Sequence, residues 1–310
     1  HSDNGKLRKK EVAKVSKDTK ELAPFTKAFG DALAKEGKGE DTQRLRALGK
    51  QIAAAIEELG GLGEEDDWDE DVKIIDNRVQ VSGQVAVMAI NGLLTKVIFD
   101  KNPTHEFYVE ESFPLDWMYP HLTPYGIIMK INREPLAELS EDMLQRDHEF
   151  WSKYSERFIG NWITYDTKVS EIAEFSKRVY QRRDFTGFKG DPKFIRDDNA
   201  QKSFSKLRGA IGGVYAWRLR YKAQTPAERD RLLREADFAF KQAWAYCPYS
   251  PEAVYRYVQM LAENGRIEDA LLIAETCYSF DAENLGVSDL VKNLRAMKGN
   301  PTSQMAPSPN

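Results

Sequence analysis

Residues 226–282 match themselves at a spacing of 34, and this limits the fold more than any other feature of the chain. Leu233 falls on Ile267, Ala236 on Ala270, Ala243 on Cys277 and Pro248 on Ala282. Small residues at such positions let two helices approach closely. A repeat of this length is a helical hairpin that needs a neighbour to bury its apolar face. The helix ends agree with this. Ser250 before Pro251 reads as an N-cap followed by a first helical residue. Thr225, with Glu228 three residues on, reads as a capping box. Asn264-Gly265 divides the second copy into two helices.

The pattern resembles the tetratricopeptide repeat, whose period is 34. The copy "SPEAVYRYVQMLAENGRIEDALLIAETCYSFDAEN" (250–284) has that helix–turn–helix layout. It departs at Val254, where an aromatic is usual, and at Ala282, where a proline is usual. About one and a half repeats are present, with 286–298 as a capping helix. Three are normally needed, so the rest of the chain is expected to cover the open end. A plain helical bundle is the alternative reading of the same helices.

Elsewhere the periodicity predicts further helices. Ser140 caps a helix over 141–159 in which Leu144, Trp151 and Phe158 recur every seven residues, with Tyr154 on the same side. Residues 166–181 carry a stripe of Val169, Ile172, Ala173, Ser176, Val179 and Tyr180. Residues 182–198 read as a loop anchored by Phe185, Phe188 and Phe194, and helices follow near 200–222, 226–246, 251–263, 266–279 and 286–298. Upstream, 1–63 holds a basic start (6–22) and a helical hairpin (18–36 and 41–59), ended by glycines and an acidic linker at 64–71. The tail from 299 to 310 has the composition of a disordered segment.

Between these lies a small unit over 72–135. Residues 72–81 have β-character, and 82–101 form a helix that is apolar on more than one face and so is expected to be buried. "FYVEESFPLDWMYPHLTPYGIIMKI" (107–131) then reads as a strand over 106–111 and a short helix over 113–122 capped by Ser112 and stopped by Pro120 and Pro124. A turn at 123–126 and a strand at 126–131 complete it. Phe107, Val109, Phe113, Leu115, Trp117 and Met118 would fill the interior. The expected class is mainly α (α+β): a helical hairpin, an α-β-α-β unit, and a tetratricopeptide-like α-α stack within 136–298, its repeats starting near 203.

Net charge is −4, so nucleic acid is not an expected partner. The basic cluster nearest to a nucleic-acid groove, "RLRYK" (218–222), reads as a solvated helix face. No apolar run reaches eighteen residues. His1-Ser2 reads as a cut boundary, which makes the chain a segment of something longer. Cys247 and Cys277 read as free, packed thiols, with a bridge between neighbouring helices as the alternative. Neither a GxxxxGK[ST] nor a GxGxxG phosphate loop occurs, nor a GxSxG or SxxK nucleophile motif. Asp67, Asp69 and Asp71 alternate like a calcium loop but lack its Gly and its final Glu. His105, His121 and His148 lack partners at ligand spacing, and Asp147-His148-Glu149 point in different directions on one helix. No metal or cofactor is expected. The carboxylates Glu110, Glu111 and Asp116 beside Trp117 and Tyr119 match the residue types of a glycosidase cleft, although their spacing sets no pair across a groove. A second candidate surface, for a polypeptide, lies beside Trp217, Tyr255 and Gln259.

"INGLLTKVIFDKNPTHEFYVEESFPLDWMYPHLTPYGIIMKINREP" (90–135) resembles the soluble C-terminal region of large bacterial multi-pass membrane proteins similar to protein O-mannosyltransferases. Glu106-Phe107-Tyr108-Val109 stands where that family has a strand of the "rPIYF" sort, and "YGIIMKINREP" (125–135) where it has "GLAYRLVP". Tetratricopeptide-like helices often follow in that family, and the resemblance spans about 82–297. It implies a non-catalytic soluble module that binds a polypeptide or braces the membrane domain of the same parent chain. The family's catalytic acid lies in that membrane domain, so no catalytic residue carries over. The family also implies an extracytoplasmic position. The basic start "KLRKKEVAKVSK" argues for the other side if it flanks a membrane helix. A stand-alone helical-repeat adaptor is the second reading, and an enzyme using the three carboxylates is the third.

Overall fold

A computed structural model describes residues 72–75, 78–81, 84–110 and 115–299. The expected N-terminal hairpin, the acidic linker, Glu111, Ser112, Phe113 and residues 300–310 lie outside these. The chain divides into two units, 1–93 and 94–310. In the first, β1 (Val72–Ile75) and β2 (Arg78–Val81) pair antiparallel, with Val72 opposite Val81 and Ile75 opposite Arg78. Helix α1 (Gln84–Lys101) starts in this unit.

In the second unit the end of α1 is buried on one face alone. Phe99 is 3% exposed, whereas Leu94 is 40% and Ile98 53% exposed, which corrects the expectation of a helix buried all round. The Phe99 ring meets Phe107, Trp117 and His121 at 5.2–5.6 Å. Arg133 lies over that ring at 4.3 Å and donates to the Phe99 carbonyl at 2.7 Å, satisfying a helix-end acceptor.

Strands β3 (Phe107–Val109), β4 (Leu122–Tyr125) and β5 (Ile128–Ile131) form an antiparallel sheet of order β3-β5-β4. This corrects the α-β-α-β order by one strand, because the expected turn at 123–126 is itself extended and the chain reverses at Gly126-Ile127. Pro124 is tolerated there because β4 is an edge strand and one missing N–H faces no neighbour. The short helix is a 3₁₀ turn, Asp116–His121, that contains Pro120 and is not stopped by it. So short an element loses little when one donor is missing.

The helical remainder follows the expected periodicity closely. Helix α2 (Glu141–Ile159) is capped by Ser140, whose hydroxyl accepts from the Met143 amide, and it buries Leu144, Trp151 and Phe158. Helix α3 (Val169–Ser176) runs into a π turn, Lys177–Gln181, and its whole predicted stripe is buried. The loop after it seats Gly190 against the backbone of Phe158. Phe194, in a 3₁₀ turn, stacks on Phe158 at 4.2 Å. Then come α4 (Asp198–Tyr221), α5 (Pro226–Tyr246), α6 (Pro251–Glu263), α7 (Ile267–Phe280) and α8 (Leu285–Gly299). Helix α4 packs chiefly on α5, α6 on α7, and α7 on α8, while α3 also packs on α7. Three of the four pairs 34 apart share burial: Ala236, Ala243, Ala270 and Cys277 are buried, and Leu233 and Ile267 are half-buried, whereas Pro248 is buried and Ala282 exposed.

Some local expectations fail. Ser250 is the N-cap of α6, yet its side chain makes no capping bond. Thr225 accepts from the Glu228 amide as a cap should, but Glu228 reaches the amide of Gln224 and not that of Thr225. "RLRYK" is not a solvated face throughout, because Arg218 and Leu219 are buried. Both cysteines are free and buried, and burial pushes each thiol up to about 12. The fold is mainly helical with a small β unit, and among the described residues no helix is long and apolar enough to cross a membrane.

Candidate functional site

The second half of α4 presents Gly213, Trp217 and Tyr221 at successive intervals of four, a single helix face about 12 Å long. Gly213 has a packing reason. A Cβ there would lie 2.6 Å from Nη1 of Arg256, which reaches over from α6. Trp217 stacks on Tyr119 with ring centres 5.3 Å apart and planes 15° apart, and Tyr221 tilts against Trp217 at 5.5 Å. The 3₁₀ turn delivers Tyr119 to this stack. Burial pushes its phenol above the ordinary value, against the opposing charge of Arg256.

Cations border the rings. Lys222 lies 5.8 Å from the Trp217 ring centre and Arg220 5.7 Å from that of Tyr221. Arg220 also pairs with Glu263 of α6, which accepts from Gln259 at 3.0 Å. One turn before Gln259, Tyr255 is 39% exposed, and its hydroxyl lies 2.6 Å from where a Cβ on Gly286 of α8 would stand. Asp116 is exposed at the start of the 3₁₀ turn, and its charge acts on Tyr119. Asp116, Tyr119, Trp217 and Gln259 thus share one surface, with Tyr255 next along α6.

The other candidates separate from this group. Trp117 turns inward, donating to Thr95 Oγ1 at 3.2 Å and packing on Phe99. Glu110 pairs with Lys206 at 3.4 Å, toward the first half of α4. Lys206 and Trp217 are eleven residues apart, roughly 16 Å of helix axis. Glu110 is thus held at the first half of α4, while Asp116 lies beside Tyr119, which stacks on Trp217 in the second half. Glu111 lies outside the described residues. Among the described residues no cluster of three His, Cys, Asp or Glu is placed to hold a metal.

Sequence reasoning missed a buried polar network between α2, α4 and α5. Arg208 donates to Asp147 at 2.8 Å and to Gln242 at 2.8 Å, and Tyr215 donates to the same Asp147 oxygen at 2.9 Å. Beside it, Glu235 is bonded to His148 at 2.7 Å and Tyr165 at 2.6 Å. Burial works to raise the Glu235 carboxyl, but the hydrogen bonds from His148 and Tyr165 prevail and hold it below its ordinary value. A signal was present: Asp147 stands three residues after Leu144 and four before Trp151, within the apolar stripe. No family model, curated protein or solved structure matches the chain.

Proposed function

We propose that this chain is a non-catalytic interaction or bracing module that receives a polypeptide along the strip of Tyr119, Trp217 and Tyr221 and the adjoining α6 line of Tyr255 and Gln259. The observation that carries this reading is the ordered aromatic stack with cations at its edge, since aromatics and Arg dominate the energetics of protein interfaces. A strip of about 12 Å accepts about four residues of extended chain. The sequence resemblance over 82–297 supports placing the module in a membrane glycosyltransferase-like parent, where the partner is an acceptor polypeptide or the parent's own membrane domain.

Two measurements test this. Several apolar segments of about twenty residues encoded upstream of residue 1 support the membrane parent, and a start codon there without them overturns it. Binding of the chain to the separately produced upstream region should weaken at least about tenfold in Trp217→Ala, with unchanged melting. A stand-alone helical-repeat adaptor is the second reading, favoured by the shared burial at three of the four pairs 34 apart.

A further inference from the structure

Residues 177–197 carry seven cations and three carboxylates, an excess of four positive charges in a chain whose net charge is −4. Each of the three carboxylates serves a backbone amide. Asp184 accepts from Thr186 at 2.9 Å, Asp191 from Lys193 at 2.8 Å and Asp197 from Ala200 at 3.0 Å. The next acid, Asp198, pairs with Lys202 at 2.7 Å. Among the described residues none of the seven cations forms an ion pair.

The segment is folded on itself, which gathers these charges. Arg183 donates to the Ile195 carbonyl at 2.5 Å, bringing 182–183 beside 195–196. Arg178 donates to the Thr186 carbonyl at 2.7 Å. The Asp191 amide donates to the Arg157 carbonyl at 2.9 Å, so the end of α2 adds one more cation. Lys189 lies beside Gly160, where a Cβ would stand 2.8 Å from its own. Arg157, Arg182, Lys189, Lys193 and Arg196 are all exposed. The aromatic rings of the segment turn the other way. Phe185 and Phe188 pack on each other at 5.7 Å, Phe188 reaches Phe175 at 6.1 Å, and Phe194 is buried on Phe158.

We propose that this surface docks on an anionic lipid bilayer through Arg157, Arg182, Lys189, Lys193 and Arg196. A charged bilayer attracts clustered Lys and Arg by electrostatics alone, without a pocket or a matching shape. The other polyanions need more than charge. A polypeptide interface draws its energy from aromatic anchors, and a single nucleic-acid strand from rings on which bases stack. The phenylalanines here are already packed inward and supply neither. The negative charge of the whole chain does not prevent docking, because charges beyond a Debye length of about 8 Å are largely screened. This surface is separate from the aromatic strip and does not depend on a membrane parent.

The test is co-sedimentation of the whole chain with phosphatidylcholine vesicles, with and without about 30% phosphatidylglycerol. Binding is expected to the anionic vesicles alone, and it should fall steeply as sodium chloride rises from about 0.1 to 0.5 M. The variant Arg182→Gln/Lys189→Gln/Lys193→Gln/Arg196→Gln keeps the basic start at 6–22, so it separates the two basic regions. With unchanged circular dichroism it should bind at least about tenfold more weakly. If its helicity drops, Lys189→Gln/Lys193→Gln should still weaken binding about threefold. No binding to anionic vesicles, equal binding to neutral ones, or undiminished binding of the variants overturns the proposal. So does displacement from the vesicles by polyglutamate or duplex DNA at equal charge concentration, which would make a polypeptide or a nucleic acid the better ligand.

Discussion

At the scale of the residue, the buried charges decide most. Asp147 and Arg208 are both fully buried and meet at 2.8 Å. Asp147→Ala leaves the guanidinium without its counter-charge, and urea denaturation should show a loss of about 3–5 kcal/mol. Asp147→Leu with Arg208→Met removes both charges and should recover most of that loss. Glu235 adds a pH dependence. Its folded value lies below the ordinary 4.5, so its stabilisation is complete above that pH and is lost as pH falls through the folded value. His148→Ala removes one of the bonds that lower it, so acid unfolding followed by circular dichroism should begin at higher pH. Gly190 matters for a different reason: a Cβ there would stand 2.3 Å from the Phe158 carbonyl oxygen and 2.6 Å from Ile159 Cα. Neither backbone atom swings aside as a side chain does. Gly190→Ala should therefore cost about 2–4 kcal/mol by the same denaturation assay.

At the scale of the element, legibility followed the strength of the periodicity. Helices α2 to α8 were readable because their apolar stripes run for several turns and most have cap residues. The stretch 107–131 was harder, because three prolines near one another each allow a stop, an edge strand or a 3₁₀ turn. Pro120 and Pro124 took the last two options, and hydrogen bonding to β5 chose between them. Arg218 and Asp147 were misread or missed because charge suggests solvent, and only partners distant in sequence show why each is inside. The candidate surface was half legible. Trp217, Tyr255 and Gln259 were named together, whereas Tyr119 was grouped with the carboxylates, because it meets Trp217 only through tertiary packing. The small residues at 34-residue spacing make a prediction of their own. Ala270 is fully buried, so Ala270→Leu should overpack α7 and cost about 1–3 kcal/mol in thermal or urea unfolding.

For the molecule as a whole, the open question is whether the helices after residue 198 behave as a stack or as one indivisible bundle. One apolar cluster runs from Phe99 to Leu294, which favours the bundle. Yet α8 packs chiefly on α7, as the last member of a stack does. It buries Val287, Val291 and Leu294, each 5% exposed or less. At about 1.5–3 kcal/mol for each buried side chain, its removal takes away at most roughly 5–9 kcal/mol, comparable with the net stability of a domain. In a stack that loss stays local, because each unit is held by its neighbours. Ending the chain at Asn284 should then speed amide exchange in α7 and α6, and least where α3 still covers α7. The amides of α4 and α5 should keep the protection they have in the full chain, since their contact with each other is the largest between helices here. Hydrogen exchange followed by mass spectrometry separates the two cases. Protection lost evenly from α2 to α7 would mean a single cooperative core, and the 34-residue match would then record packing geometry without repeat-like energetics.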